Sequence, residues 1–412
     1  MRAFSTLLLL AACNLAPKPV DTDTDTTQTD DTGPVGDGTT IFDIRDGTVT
    51  DGSTVTLEGV LVSSPKTRDG EGFFIQDPAG GPRSGLYVWA FDGVADVFAE
   101  EGDEVSITGT VTDFYGWTEF VIDSADAVTI TGTGSLPAPE SLGDGAGVDW
   151  EDYESVPVTL TNQSVTGVDE FGGGFLASGI KLDDGIARLD YNCRGTYESL
   201  SGIIFYTYEE YSINPRTEAD GVGYAEGEAV ASTIHGVRTG EACGPVVVTD
   251  VVATTDAFED ADGAYFFAQD QGGGPYSGLV VFIRGGTTDV TLGWQGSVTG
   301  IASEYYGLTE LVVDDVSTLV RNGSGIPVAS VLSAAPADWE EYESCLVTLE
   351  NVEVTSEESY GQVATNYTNL FVDDLLYDFE ATKGDVWSSA TGPVWYSYNE
   401  WKLVPRSSDD LR

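Results

Sequence analysis

The 412-residue chain reads as an all-β protein built of small closed barrels in tandem, with two modules forming one unit and the unit occurring twice. Three observations predict this. Short runs of alternating apolar residues are separated by Gly- and Pro-bearing turns, and no convincing helix-period segment interrupts them. Fifty glycines against a single methionine is a turn-rich composition. Four stretches also recur in the same order, at an offset that stays between 189 and 193 residues.

The duplication is explicit. FFIQDPAGGPRSGLYV at 73–88 matches FFAQDQGGGPYSGLVV at 266–281 in 11 of 16 positions. WEDYESVPVTL at 150–160 matches WEEYESCLVTL at 339–349 in 8 of 11. TDFYGWTEFV at 112–121 pairs with SEYYGLTELV at 303–312, and YTYEEYSINPRTEAD at 206–220 pairs with YSYNEWKLVPRSSDD at 396–410. Each unit divides again. Residues 41–136 form module 1A, 148–235 module 1B, 244–325 module 2A and 338–412 module 2B.

Within module 1A, residues 55–64 alternate around Val55, Leu57 and Val60 and predict a strand. The turn-like Asp69-Gly70-Glu71-Gly72 leads to a second strand at 73–76. A Gly/Pro loop over 78–85 precedes a third at 86–90. Strands at 104–112 and 118–122 complete a set of five, and closing them into a barrel would remove exposed edges. Residues 136–147 are a linker, after which Trp150–Tyr153 leads into the strand 156–160 of the next module.

The amino terminus is a targeting segment. MRAFSTLLLLAAC has one basic residue, a short apolar run and small residues before Cys13. Its Leu10-Ala11-Ala12-Cys13 ending is similar to a bacterial lipobox, which implies a signal peptide over 1–12 and a lipidated, N-terminal Cys13. Such a residue anchors a protein to a membrane without a spanning segment. By the same analogy, Asn14 favours the outer membrane. Residues 13–40 are an acidic Asp/Thr tether, extended by like-charge repulsion.

Charge narrows the function. The net charge is −52, and residues 38–412 alone carry −48. A field of that sign repels the phosphate backbone and argues against a general nucleic-acid binder. With only one histidine, His235, the chain has no site needing two. No GxSxG elbow is present for a Ser–His–Asp arrangement. The expectation is therefore a non-enzymatic protein.

The sequence VTLEGVL, GFFIQDP, GLYV and GDEVSITGTVTDFYGWTEF, followed by W..YE…VTL and the NPR…D or VPRSSDD ends, resembles the OB-fold-like accessory modules of bacterial secreted nucleases. In that family such modules accompany an endonuclease/exonuclease/phosphatase-type catalytic domain. The resemblance covers 41–412 and departs from the family because that domain, with its histidines and acidic metal ligands, is missing. What it implies is an OB-like fold and an accessory binding role.

Several constellations are candidates for ligand contact. Phe114, Tyr115 and Trp117, with Tyr305 and Tyr306, occupy equivalent inter-strand turns. Neighbouring strand residues alternate in direction, so at least one ring of each cluster should be exposed or packed on the next module. Tyr206, Tyr208, Tyr211, Trp395, Tyr396, Tyr398 and Trp401 raise the same choice. Lys66, Arg68 and Arg83 are the nearest thing to a basic patch. Arg216 and Arg406 should pair with Asp220 and Asp410, while Trp150 and Trp339 read as structural plugs. Asp260-Ala261-Asp262-Gly263 and Asp69-Gly70-Glu71-Gly72 read first as hairpin turns; a Ca2+ site outside the EF-hand pattern stays open. Export favours disulfides, and Cys193 and Cys243, without counterparts in unit two, should pair. Cys345 replaces Val156 of the other copy and should be a buried free thiol.

The functional expectation is an envelope lipoprotein with tandem binding modules. Its ligand would be nucleic acid, a glycan or other extracellular polymer, or a protein. The alternative is a structural or adhesion spacer whose aromatics only hold modules together.

Overall fold

The computed structural model describes residues 38–412 except Asp92, Glu170 and Glu358. The signal peptide, Cys13 and nearly all of the tether lie outside the described residues. None of the described helices is long and apolar enough to cross a membrane.

The chain is a succession of five-stranded circuits. In the first, β1 (Thr54–Val62), β2 (Gly72–Gln76), β3 (Gly85–Ala90), β4 (Asp103–Phe114) and β5 (Trp117–Ile122) pair in the order 1-2-3-5-4 and back to 1. Only the β3–β5 pairing is parallel; Tyr87 lies opposite Glu119 there. The second circuit has the same order: β6 (Pro157–Val168), β7 (Gly174–Leu176), β8 (Lys181–Leu182), β9 (Thr196–Thr207) and β10 (Glu210–Asn214).

The third repeats the first, with β11 (Gly244–Ala253), β12 (Gly263–Asp270), β13 (Gly278–Arg284), β14 (Trp294–Tyr305) and β15 (Leu308–Val313). The fourth uses β16 (Leu346–Glu353), β17 (Gln362–Ala364), β18 (Leu370–Asp373), β19 (Val386–Ser397) and β20 (Glu400–Leu403). Here β16 and β17 meet through the Val354–Thr365 bridge rather than a strand ladder. The protein is thus all-β, as tandem small OB-like barrels.

One long strand serves two neighbours in each A module because it bends. The β1–β4 register shifts between Leu57 and Val60, and the β11–β14 register shifts between Val248 and Val251. A bulge at equivalent places lets the strand pair on both sides and close the barrel. Inside the first barrel, alternate residues such as Leu57, Phe73, Ile75, Val88, Ile107 and Phe120 form the core.

Two short helices escape the sequence reading because five residues are too few to show a period. In α1 (Ile41–Arg45), Thr40 and Asp43 form a capping box, and Ile41 and Ile44 plug the first barrel. In α2 (Ile234–Arg238), Thr233 caps, and Ile234 and Val237 plug the third. Residues 230–232 pair in parallel with β11, so 230–238 packs with the third barrel, and exposed His235 sits on its plug helix.

Candidate functional site

Barrel pairing decides which aromatic rings are available. In β2 every residue is buried, although alternate side chains point away from the barrel core. The outward Phe74 joins Tyr87 and Trp117 in a second apolar cluster with Ile186, Ile203 and Phe205 of module 1B. Tyr87 and Trp117 stack with centroids 4.4 Å apart, and Phe74 meets Phe205 at 4.7 Å. Unit two builds the same seam from Phe267, Val280 and Leu308 against Leu376, Trp395 and Tyr396. In OB-folds the strand 2–3 face is a ligand surface; here module 1B covers the outer side of β2. Trp117, grouped by sequence with a binding cluster, is a packing residue.

The seam is locked by a polar network present in both units. Arg45 of α1 has a fully covered side chain and pairs with buried Glu154. The guanidinium also donates to Thr118 Oγ1 (2.6 Å), the Glu151 carbonyl (2.8 Å) and the Glu151 carboxylate (3.0 Å), and the Thr118 amide donates to Glu154 (3.1 Å). Arg238 pairs with Glu343 and donates to Thr309 Oγ1 (2.8 Å) and to Glu340 in the same pattern. Sequence reasoning missed this network. Its signals were the shared Ile…Arg spacing at 41–45 and 234–238, the Thr-Glu of both hairpins, and the W-E-x-Y-E-S turns. Gly85 and Gly278 belong to the seam as well: a Cβ on either would lie 2.0–2.1 Å from backbone of the following module.

The basic residues do not form a free patch. Arg83 pairs with Asp152 (2.8 Å) and Arg68 with Asp184, both across the module 1A–1B boundary. Lys66 donates to the carbonyls of Val94 (2.7 Å) and Val97. Arg216 lies between Glu101 (2.9 Å) and Asp220 (3.6 Å). Arg406 pairs with Asp410 (2.7 Å) and reaches the Thr254 carbonyl. Each side chain thus has an internal partner.

The acidic turns have internal roles too. Asp260 accepts from the amides of Asp262 and Gly263, and Asp69 from the Glu71 amide and the Thr67 hydroxyl. Among the described residues, no group of three His, Cys, Asp or Glu side chains is placed to hold a metal ion. Cys193 and Cys243 are bonded, with Cα atoms 5.6 Å apart, and Cys345 is free and buried. Trp339 belongs to the fourth core and donates to the Thr368 carbonyl (2.9 Å), while Trp150 packs on the second core. His235 meets the Tyr276 ring edge-on.

Of the aromatic clusters singled out in the sequence, what remains at the surface is a repeated hairpin end. The last two strands of every circuit are joined by two residues, both at positive φ: Tyr115-Gly116, Tyr208-Glu209, Tyr306-Gly307 and Tyr398-Asn399. Two-residue turns with both φ values positive favour Asn-Gly. Tyrosine is an outlier at the first position. All four tyrosines are nonetheless there, and they are 87, 96, 77 and 91% exposed in chain order.

In each unit the A-module end lies close against the strand that leads to the B-module end. A Cβ on Gly116 would sit 3.1 Å from the Tyr206 ring, two residues before Tyr208, and one on Gly307 would sit 2.9 Å from the Tyr396 ring, two before Tyr398. Phe114–Tyr115 and Tyr305–Tyr306 are edge-on at 4.9 Å, while Tyr206–Tyr211 and Tyr396–Trp401 are tilted at 4.7 and 4.5 Å. Comparison with protein-family models yields no match, and none of the curated proteins matches the chain.

Proposed function

We propose that the chain is a non-catalytic, lipid-anchored envelope protein that binds an extracellular polymer through its aromatic hairpin ends. One observation carries this reading: the outward aromatics of β2, β3 and β5 are used to join modules, whereas an exposed tyrosine is retained at the turn of all four circuits. The anchor is Cys13, by its lipobox-like context. Nucleic acid is disfavoured by the −48 charge of residues 38–412 and by the internal pairing of Arg68, Arg83, Arg216 and Arg406.

Anisotropy titration of labelled single-stranded DNA at low salt, with calcium and with chelator, tests the choice of ligand class. No saturable binding is expected in either condition. Saturable binding that weakens with salt would replace the polymer reading with the nuclease-accessory role.

A further inference from the structure

We infer that the two hairpin ends of each unit form one composite platform for a neutral polysaccharide, so that the chain carries two equivalent glycan sites. This rests on the polymer-binding reading and names its ligand class. Four bulky residues keep a backbone conformation that Asn or Gly would adopt without cost. Packing does not explain them, because their rings are largely in solvent. The glycine after Tyr115 and the glycine after Tyr306 bring each A-module hairpin onto an aromatic strand of the B module. Exposed rings from two barrels therefore belong to one surface in each unit.

The local charge selects the ligand. Lys181, beside the module 1B end, is held by Asp169 (3.3 Å) and Glu210 (2.5 Å). Lys402 is held by Asp373 (3.1 Å) and lies 5.7 Å from the centre of the Tyr398 ring. Each lysine is matched by a carboxylate, so neither offers a polyanion an unmatched cation, and the acidic chain as a whole repels one. Each platform offers apolar ring faces beside hydroxyl and carboxylate acceptors. A sugar ring fits this, with C–H faces to stack and hydroxyls to donate. Two platforms on one chain act together on a long polymer and singly on a short one.

The test is native electrophoresis of the full chain, in detergent, through gels containing galactomannan, xyloglucan or dextran, with alginate and single-stranded DNA gels alongside. Retardation by at least one neutral polymer is expected. The variant Y115N/Y208N/Y306N/Y398N should migrate as in a polymer-free gel. Asn suits the turn, so this variant should melt no lower than the parent. Changing one unit's pair alone should weaken binding at least tenfold.

Retardation by no neutral polymer overturns the glycan assignment. Retardation by alginate alone does the same but leaves extracellular-polymer binding standing, whereas retardation by DNA alone removes that reading as well. Neutral-polymer retardation that survives in the fourfold Asn variant overturns the platform but not the polymer reading.

Discussion

Glu119 and Glu310 are the same residue in the two units, each on the fifth strand of an A-module barrel and less than a tenth exposed. Burial pushes both carboxyls up to about 7; Glu71 adds to the effect at Glu119, and Arg284 opposes it at Glu310. The folded chain therefore keeps protons that the unfolded chain loses above its ordinary carboxyl value of 4.5. The resulting stability is fully present below that value and is lost as pH rises through about 7, on the order of 3 kcal/mol per site. Urea midpoints should fall between pH 5 and pH 8. In E119Q/E310Q the fall should shrink, although mutual repulsion across so acidic a chain retains part of it. An unchanged slope in the double variant would rule these carboxyls out as the source.

At the level of elements, a five-residue helix does two jobs. Ile41 and Ile44 of α1 fill the first barrel, while Arg45 reaches the turn that opens module 1B. Its partner Glu154 is fully buried, so loss of Arg45 strips that carboxyl of its counterpart, while loss of Glu154 leaves the guanidinium with Glu151 alone. Arg45→Ala should cost about 3–5 kcal/mol, and Arg45→Met with Glu154→Leu should regain much of it. Thermal unfolding of the two single variants and the pair forms the cycle. A single variant that melts with the parent would show that the pair does not join the modules. The same logic holds at Arg238 and Glu343, where the helix is α2. The apolar seam residues differ between units, Tyr87, Trp117 and Phe205 in one and Val280, Leu308 and Trp395 in the other, while the ion pair is repeated. Apolar contacts can be exchanged for others of suitable volume; a buried charge needs its own partner.

Across the whole molecule, the Cys193–Cys243 bond joins the second module to the segment that enters the third barrel. Arg194 reinforces it by donating to the Cys243 carbonyl (3.0 Å) and to the Pro245 carbonyl. The two cysteines are 50 residues apart, and closing a loop of that length contributes roughly 4 kcal/mol in the chain-entropy picture. Reduction, or C193S/C243S, should lower the melting temperature by several degrees. An unchanged melting curve would mean that the surrounding contacts hold this junction without the covalent link.

The β class and the duplication of small barrels were legible in the residues alone. Alternation, turn glycines and repeated motifs are local properties that survive without knowledge of what packs where. The pairing of Arg216 and Arg406 with Asp220 and Asp410 was legible too, because those partners are only four residues away. The roles of the aromatics were not. Trp117 and Tyr115 are two residues apart, yet one is packed under the next barrel and the other stands in solvent. Lys66, Arg68 and Arg83 looked like a patch because their distant partners were invisible. Arg45 was silent for the same reason, since Glu154 lies 109 residues along the chain. Only the tertiary structure decides such matters, because a side chain's availability depends on which surfaces the fold brings against it.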